Sequence, residues 1–97
     1  MRIVCTFPNL MAPLVYLVDM ESRTAALLGP AGRVHVVAHA GTALDNVSSL
    51  SFVEEVPSGA VQTTTIILST GKAVHSRNTV MQGDFVPSQS LGSCVRS

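Results

Sequence analysis

The sequence predicts an all-β domain, or at most a β-rich α+β one: a small sandwich or barrel of about seven to nine short strands with no more than one short helix. Three observations carry this. Apolar, β-branched runs such as "RIVCTF" and "AVQTTTIILST" are short. Clusters of Gly, Pro, Asn and Asp separate them at close spacing, which is the punctuation of strands and hairpins. No internal repeat and no low-complexity stretch interrupts that pattern, so the 97 residues read as one domain.

The elements follow in order. Arg2–Phe7 is a strand ended by Pro8-Asn9. "PLVYLVDM" has apolar residues on both faces, as a central or doubly covered strand does. "DMESRTAALLGPAG" is a hairpin with Glu21-Ser22-Arg23 at its tip, and Gly29-Pro30-Ala31-Gly32 is a turn of breakers. The segment "VYLVDMESRTAALLGPAG" is similar to a single hairpin of repeat β-propellers. It occurs once in a chain far too short for a propeller, so it is shared hairpin grammar. "RVHVVAHA" is the next strand.

Residues 43–48 read as a loop or short helical turn, followed by a strand "SLSFVEEV". The competing reading is a helix from Ser51, capped by Glu54, but it meets Pro57 and Gly59 within two turns. Ala60–Thr70 is the strongest strand. Gly71-Lys72 is a tight turn, "AVHS" returns, Arg77-Asn78 separates it from "TVMQ", and Gly83-Asp84 turns again before "FVP". Residues 86–97 read as a polar C-terminal tail.

Composition limits the function. The chain is 46% hydrophobic and 12% charged, with six basic and six acidic residues and no net charge. Ordinary soluble domains carry about 25% charged residues, and net charge helps to keep them apart. A surface of this kind is expected to be covered by copies of the chain or by other proteins. Arg2, Arg23, Arg33, Lys72, Arg77 and Arg96 are spread singly, which argues against a phosphate-binding patch and hence against nucleic acid. The apolar N-terminal run is broken by Pro8, Asn9 and Pro13, so two strands joined by a turn are expected there in preference to a leader or a membrane span.

"GRVHVVAHAG" places His35 and His39 at a spacing that on a helix could hold one metal ion. Flanking glycines and alternating valines make it a strand instead. At ~3.3 Å per residue the two imidazoles are then roughly 13 Å apart, too far for one zinc. A metal would need one of them with His75, Asp19 or Asp45. The stripe Arg33, His35, Val37 and His39 reads as a solvent- or subunit-facing surface whose protonation near pH ~6.5 would make assembly pH-sensitive.

Glu54 and Glu55 are adjacent and point to opposite faces of a strand, so they form no acid–base pair. No nucleophile elbow, phosphate loop or cofactor motif is present. Cys5 and Cys94 could close one loop across the domain. In the absence of a clear secretory signal they read as two free thiols.

The expectation is therefore a non-enzymatic assembly protein without cofactors. It would be a subunit or cementing piece of a larger symmetric structure, with a virus or phage particle as the natural setting and the cytoplasm otherwise. Its partners would be copies of itself or other structural proteins. Two alternatives are a small soluble binding or inhibitory module and a Cys/His or metal-dependent enzyme. The expected contact residues are Arg2, Ile3, Val4, Phe7, Arg33, His35, His39, Thr63, Thr65, Phe85, Val86, Leu91 and Val95. The Thr63–Thr65 stretch contributes if its strand lies at a sheet edge, although a central position is the favoured one.

Overall fold

The structure is a computed structural model that describes residues 1–19, 21–22, 24–29, 32–42, 48–55 and 61–97. It is all-β. The strands are β1 (Arg2–Thr6), β2 (Leu14–Asp19), β3 (Thr24–Gly29), β4 (Gly32–Thr42), β5 (Ser48–Glu55), β6 (Val61–Ile67), β7 (Lys72–Met81) and β8 (Asp84–Arg96). Each pairs antiparallel with the next, and β1 pairs with β8, so the sheet curls into an up-and-down barrel in sequence order. The barrel, and not the sandwich, is the outcome of the predicted fold class. No helix occurs among the described residues; of residues 43–48, where a loop or helical turn is expected, 43–47 lie outside them and Ser48 already begins β5.

Strand parity decides what fills the interior. Every second side chain points in. The inward set is Ile3 and Cys5 on β1, Phe7 just beyond it, Tyr16 and Val18 on β2, Ala25 and Leu27 on β3, Val36 on β4, Leu50 and Phe52 on β5, Thr64 and Ile66 on β6, Ala73 and His75 on β7, and Cys94 on β8. Tyr16 and Phe52 stack in the interior with ring centroids 4.1 Å apart and planes 6° from parallel. An eight-stranded barrel is just wide enough for side chains to fill.

Several expectations are corrected. Residues 86–97 are not a tail: they are most of β8, the longest strand, and pair with β7 from Ser93 back to Asp84. Small polar residues form a strand there because β7 and β1 supply the pairing, and tertiary context overrides weak strand propensity. Arg77-Asn78 does not break β7, which runs unbroken from Lys72 to Met81. The Thr63–Thr65 stretch takes the favoured central position and not the alternative edge, since β6 is paired with β5 on one side and β7 on the other.

The cysteines are not free thiols. Cys5 and Cys94 face each other across β1 and β8 and form a disulfide, with Cα atoms 4.0 Å apart. The closure of the barrel is what brings the two ends of the chain together. Gly92 sits beside this seam. A Cβ there would overlap the Thr6 carbonyl oxygen and lie 2.5 Å from Cδ1 of Phe7. The close approach lets Phe7 enter the barrel.

Candidate functional site

Two features of the barrel carry polar or exposed chemistry. The first is interior. Phe52, Thr64, His75 and Ser90 are successive neighbours across β5 to β8, and Glu54, Gln62, Arg77 and Ser88 form the next row on the same face, half-buried except for the exposed Ser88. In the first row the hydroxyls of Tyr16 and Thr64 are 2.8 Å apart, and Thr64 Oγ1 is 2.9 Å from His75 Nδ1. Phe7 packs against the imidazole at 5.4 Å. In the second row Gln62 Nε2 donates to Glu54 Oε2.

Burial pushes the Tyr16 phenol up to about 12, against a smaller opposing effect of the Thr64 hydrogen bond. Burial also lowers the His75 pKa; Glu54 opposes this and Arg77 adds to it. Both groups are therefore neutral at pH 7, joined through one hydroxyl. No reacting substrate can reach between them, because Thr64 is 1% exposed. The arrangement is a satisfied polar column in an apolar core.

Among the described residues no three His, Cys, Asp or Glu side chains come together as a metal site. An open hollow of about 390 Å³ lies against Met1, Leu17, Val18 and Asp19 at one end of β2. Its carboxylate, Asp19, accepts from the Glu21 and Ser22 amides of the β2–β3 turn, which hold its pKa low.

The second feature is exposed. The last described residue pair between β6 and β7 is Val61 with Asn78, whereas β7 and β8 continue together to Met81 and Asp84. The hairpin closes through Gln82 and Gly83, with φ of 54° and 78°. Positive φ at both central positions is the two-residue turn that matches strand twist. Among the described residues the result is a two-stranded arm. Val80 (62% exposed) and Phe85 (73%) are paired on its outer face near the tip, and Leu91 (77%) and Val95 (63%) continue along β8.

The arm also leaves a backbone edge open. Cys94 N–H donates to the Gly71 carbonyl and Ser97 N–H to the Arg2 carbonyl. Even-numbered residues of β8 thus turn their backbone groups toward β7 and odd-numbered ones toward β1. But β1 pairs only with Ser93–Arg96. Phe85, Pro87, Gln89 and Leu91 therefore aim their backbone groups at a side with no strand among the described residues. Pro87 has no N–H to offer there, and the Phe85 N–H is held by its neighbour Asp84 Oδ1 at 2.8 Å.

The expected contact residues separate into groups. Phe85, Val86, Leu91 and Val95 are exposed on β8, and Val4 is half-buried opposite Val95. Arg2 is exposed, its Nη1 3.5 Å from Ser97 Oγ. Ile3 and Phe7 are core residues, at 3% and 2% exposure, so they are withdrawn from the surface. Thr63 and Thr65 are half-buried on β6, and Thr65 Oγ1 bonds Ser51 Oγ at 2.8 Å. Arg33, His35 and His39 lie on β4, with His35 opposite Ala26 and His39 opposite Ser51; their side chains lie outside the described residues. The strand itself rules out the helical grip on one metal.

Val80 and Met81 were missed, as was the Tyr16–Thr64–His75 column. The first had a signal: apolar pairs on either side of Gln82-Gly83 mark a hairpin whose strands continue through Arg77-Asn78.

The chain is thus a small up-and-down β-barrel with a projecting, apolar two-stranded arm. No protein-family model, curated protein or solved structure matches it.

Proposed function

We propose that this chain is a non-enzymatic structural protein, a β-barrel subunit or cementing piece that joins copies of itself or other structural proteins into a larger assembly. A virus or phage particle is the natural setting for such a piece. The observation that carries the reading is the arm. Exposed Val80, Phe85, Leu91 and Val95 extend along one side of a chain that is only 12% charged. Contiguous exposed apolar surface, especially with an open strand edge, is a hallmark of contact with another chain. The burial of Tyr16, Thr64 and His75 supports a stabilising role for them over a catalytic one.

Size-exclusion chromatography with light scattering tests the reading. Defined oligomers that grow with concentration are expected. A well-behaved monomer at millimolar concentration would end it.

A further inference from the structure

The open stretch of β8 runs from Asp84 to Gly92, and Ser88 is its midpoint. One apolar pair is placed symmetrically about that midpoint. Phe85 and Leu91 stand three residues to either side, each about three-quarters exposed, and Pro87 and Gln89 flank the centre. No charge lies between Phe85 and Leu91. An open edge is normally guarded by Lys or another charge along its length. Among the described residues the guards here are Pro87 and the Asp84 carboxylate that holds the Phe85 N–H.

We infer that the open edge of β8 pairs antiparallel with the same edge of a second copy, about a two-fold axis at Ser88. The inference rests on the assembly reading above and names its partner. In this register Phe85 of one copy lies opposite Leu91 of the other, twice, so the two most exposed large side chains of β8 cover each other. Cross-strand apolar pairs of this kind are the unit of sheet stabilisation. Pro87 lies opposite Gln89.

The Gln89 and Leu91 amides of each copy meet the Pro87 and Phe85 carbonyls of the other, about four hydrogen bonds in all. Neither guard blocks those bonds, because both act on donors of residues 85 and 87 and leave their carbonyls free. A partner strand of unrelated sequence would have to supply the same tolerance at the same two positions. A second copy supplies it by symmetry, and a two-fold contact closes on itself without forming a fibre.

The register makes a sharp prediction. Even-numbered residues oppose each other as non-hydrogen-bonded pairs, so the two Ser88 Cα atoms lie about 4.5 Å apart across the axis. Cys5 and Cys94 face each other at 4.0 Å and are bonded. A Ser88→Cys variant in a glutathione buffer is expected to form a covalent dimer roughly tenfold faster or more than a Val86→Cys variant, because disulfides need close Cβ atoms. Val86 opposes Ser90 of the other copy, which leaves the two thiols of the Val86→Cys dimer roughly 13 Å apart along the strands.

Gln89→Pro removes an amide that points away from β7. It is expected to shift wild-type dimer to monomer in sedimentation velocity while the far-ultraviolet spectrum stays unchanged. If the wild-type protein self-associates but Ser88→Cys cross-links no faster than Val86→Cys, or Gln89→Pro still dimerises, the register is wrong and the assembly reading stands. If the wild-type protein is monomeric throughout, both fall.

Discussion

Reduction of Cys5–Cys94 is the most direct perturbation of this barrel. The bond spans a sequence separation of 89. Loop-closure entropy for a cross-link of that length amounts to about 4.6 kcal/mol at room temperature. A domain of this size has a total stability of roughly 5–15 kcal/mol, so the bond carries a large share of it. The cause is topological. The β1–β8 pairing that closes the barrel joins the two ends of the chain, the contact with the highest entropic cost for an open polymer. The assay is urea unfolding of the oxidised protein against the same protein in a reductant, followed by far-ultraviolet circular dichroism. With a slope of about 1.5 kcal/mol per molar urea, the midpoint should fall by about 3 M. Reduction deletes no heavy atom from the chain, so no cavity from a truncated side chain confuses the result. Midpoints that agree within about 0.5 M would refute the reasoning.

Gly92→Ala should destabilise by about 1–3 kcal/mol, because the added Cβ overlaps the Thr6 carbonyl and the Phe7 ring, and the carbonyl belongs to a paired strand; differential scanning calorimetry measures the drop in Tm. The single tyrosine, Tyr16, should titrate near about 12 in absorbance at alkaline pH, against about 10 after unfolding. Its pKa is raised in the folded state, so its contribution to stability is complete below about 10 and is lost as the pH climbs toward about 12. His75 has the opposite sign: its pKa is lowered by burial, so its contribution is present above the ordinary histidine range and is lost as the pH falls below it. A proton NMR titration should find that the His75 imidazole resists protonation. Thr64→Val should cost about 1–3 kcal/mol in chemical denaturation, more than Tyr16→Phe does. The valine leaves both the Tyr16 hydroxyl and His75 Nδ1 without their bond, whereas the phenylalanine leaves Thr64 bonded to His75.

Strand identity was legible from local pattern because a half-buried strand writes its period-2 alternation into the chain. "RVHVVAHA" is a strand within β4, and "VQTTTII" is β6. The β2–β3 hairpin was equally local, since a turn and its flanks are neighbours in sequence. Arg77-Asn78 and residues 86–97 were misread for one shared reason. Polar residues without strong propensity become strand when a neighbour pairs with them, and the neighbour is a property of the fold. Of the expected contact residues, those on β8 are exposed, whereas Ile3 and Phe7, which look the same in sequence, are buried.

The sequence by itself determined the class of fold, where along the chain most strands lie, the strand that keeps His35 and His39 from a helical metal grip, and the low charge. Only the tertiary structure decided that the sheet closes on itself. That closure is non-local: it brings β1 beside β8, Cys5 beside Cys94 and Tyr16 within reach of Thr64 and His75. Local pattern encodes which way a side chain alternates, but not which strand stands next to it. Long-range pairing sets that, and the same pairing leaves the outer half of β8 without a second neighbour among the described residues.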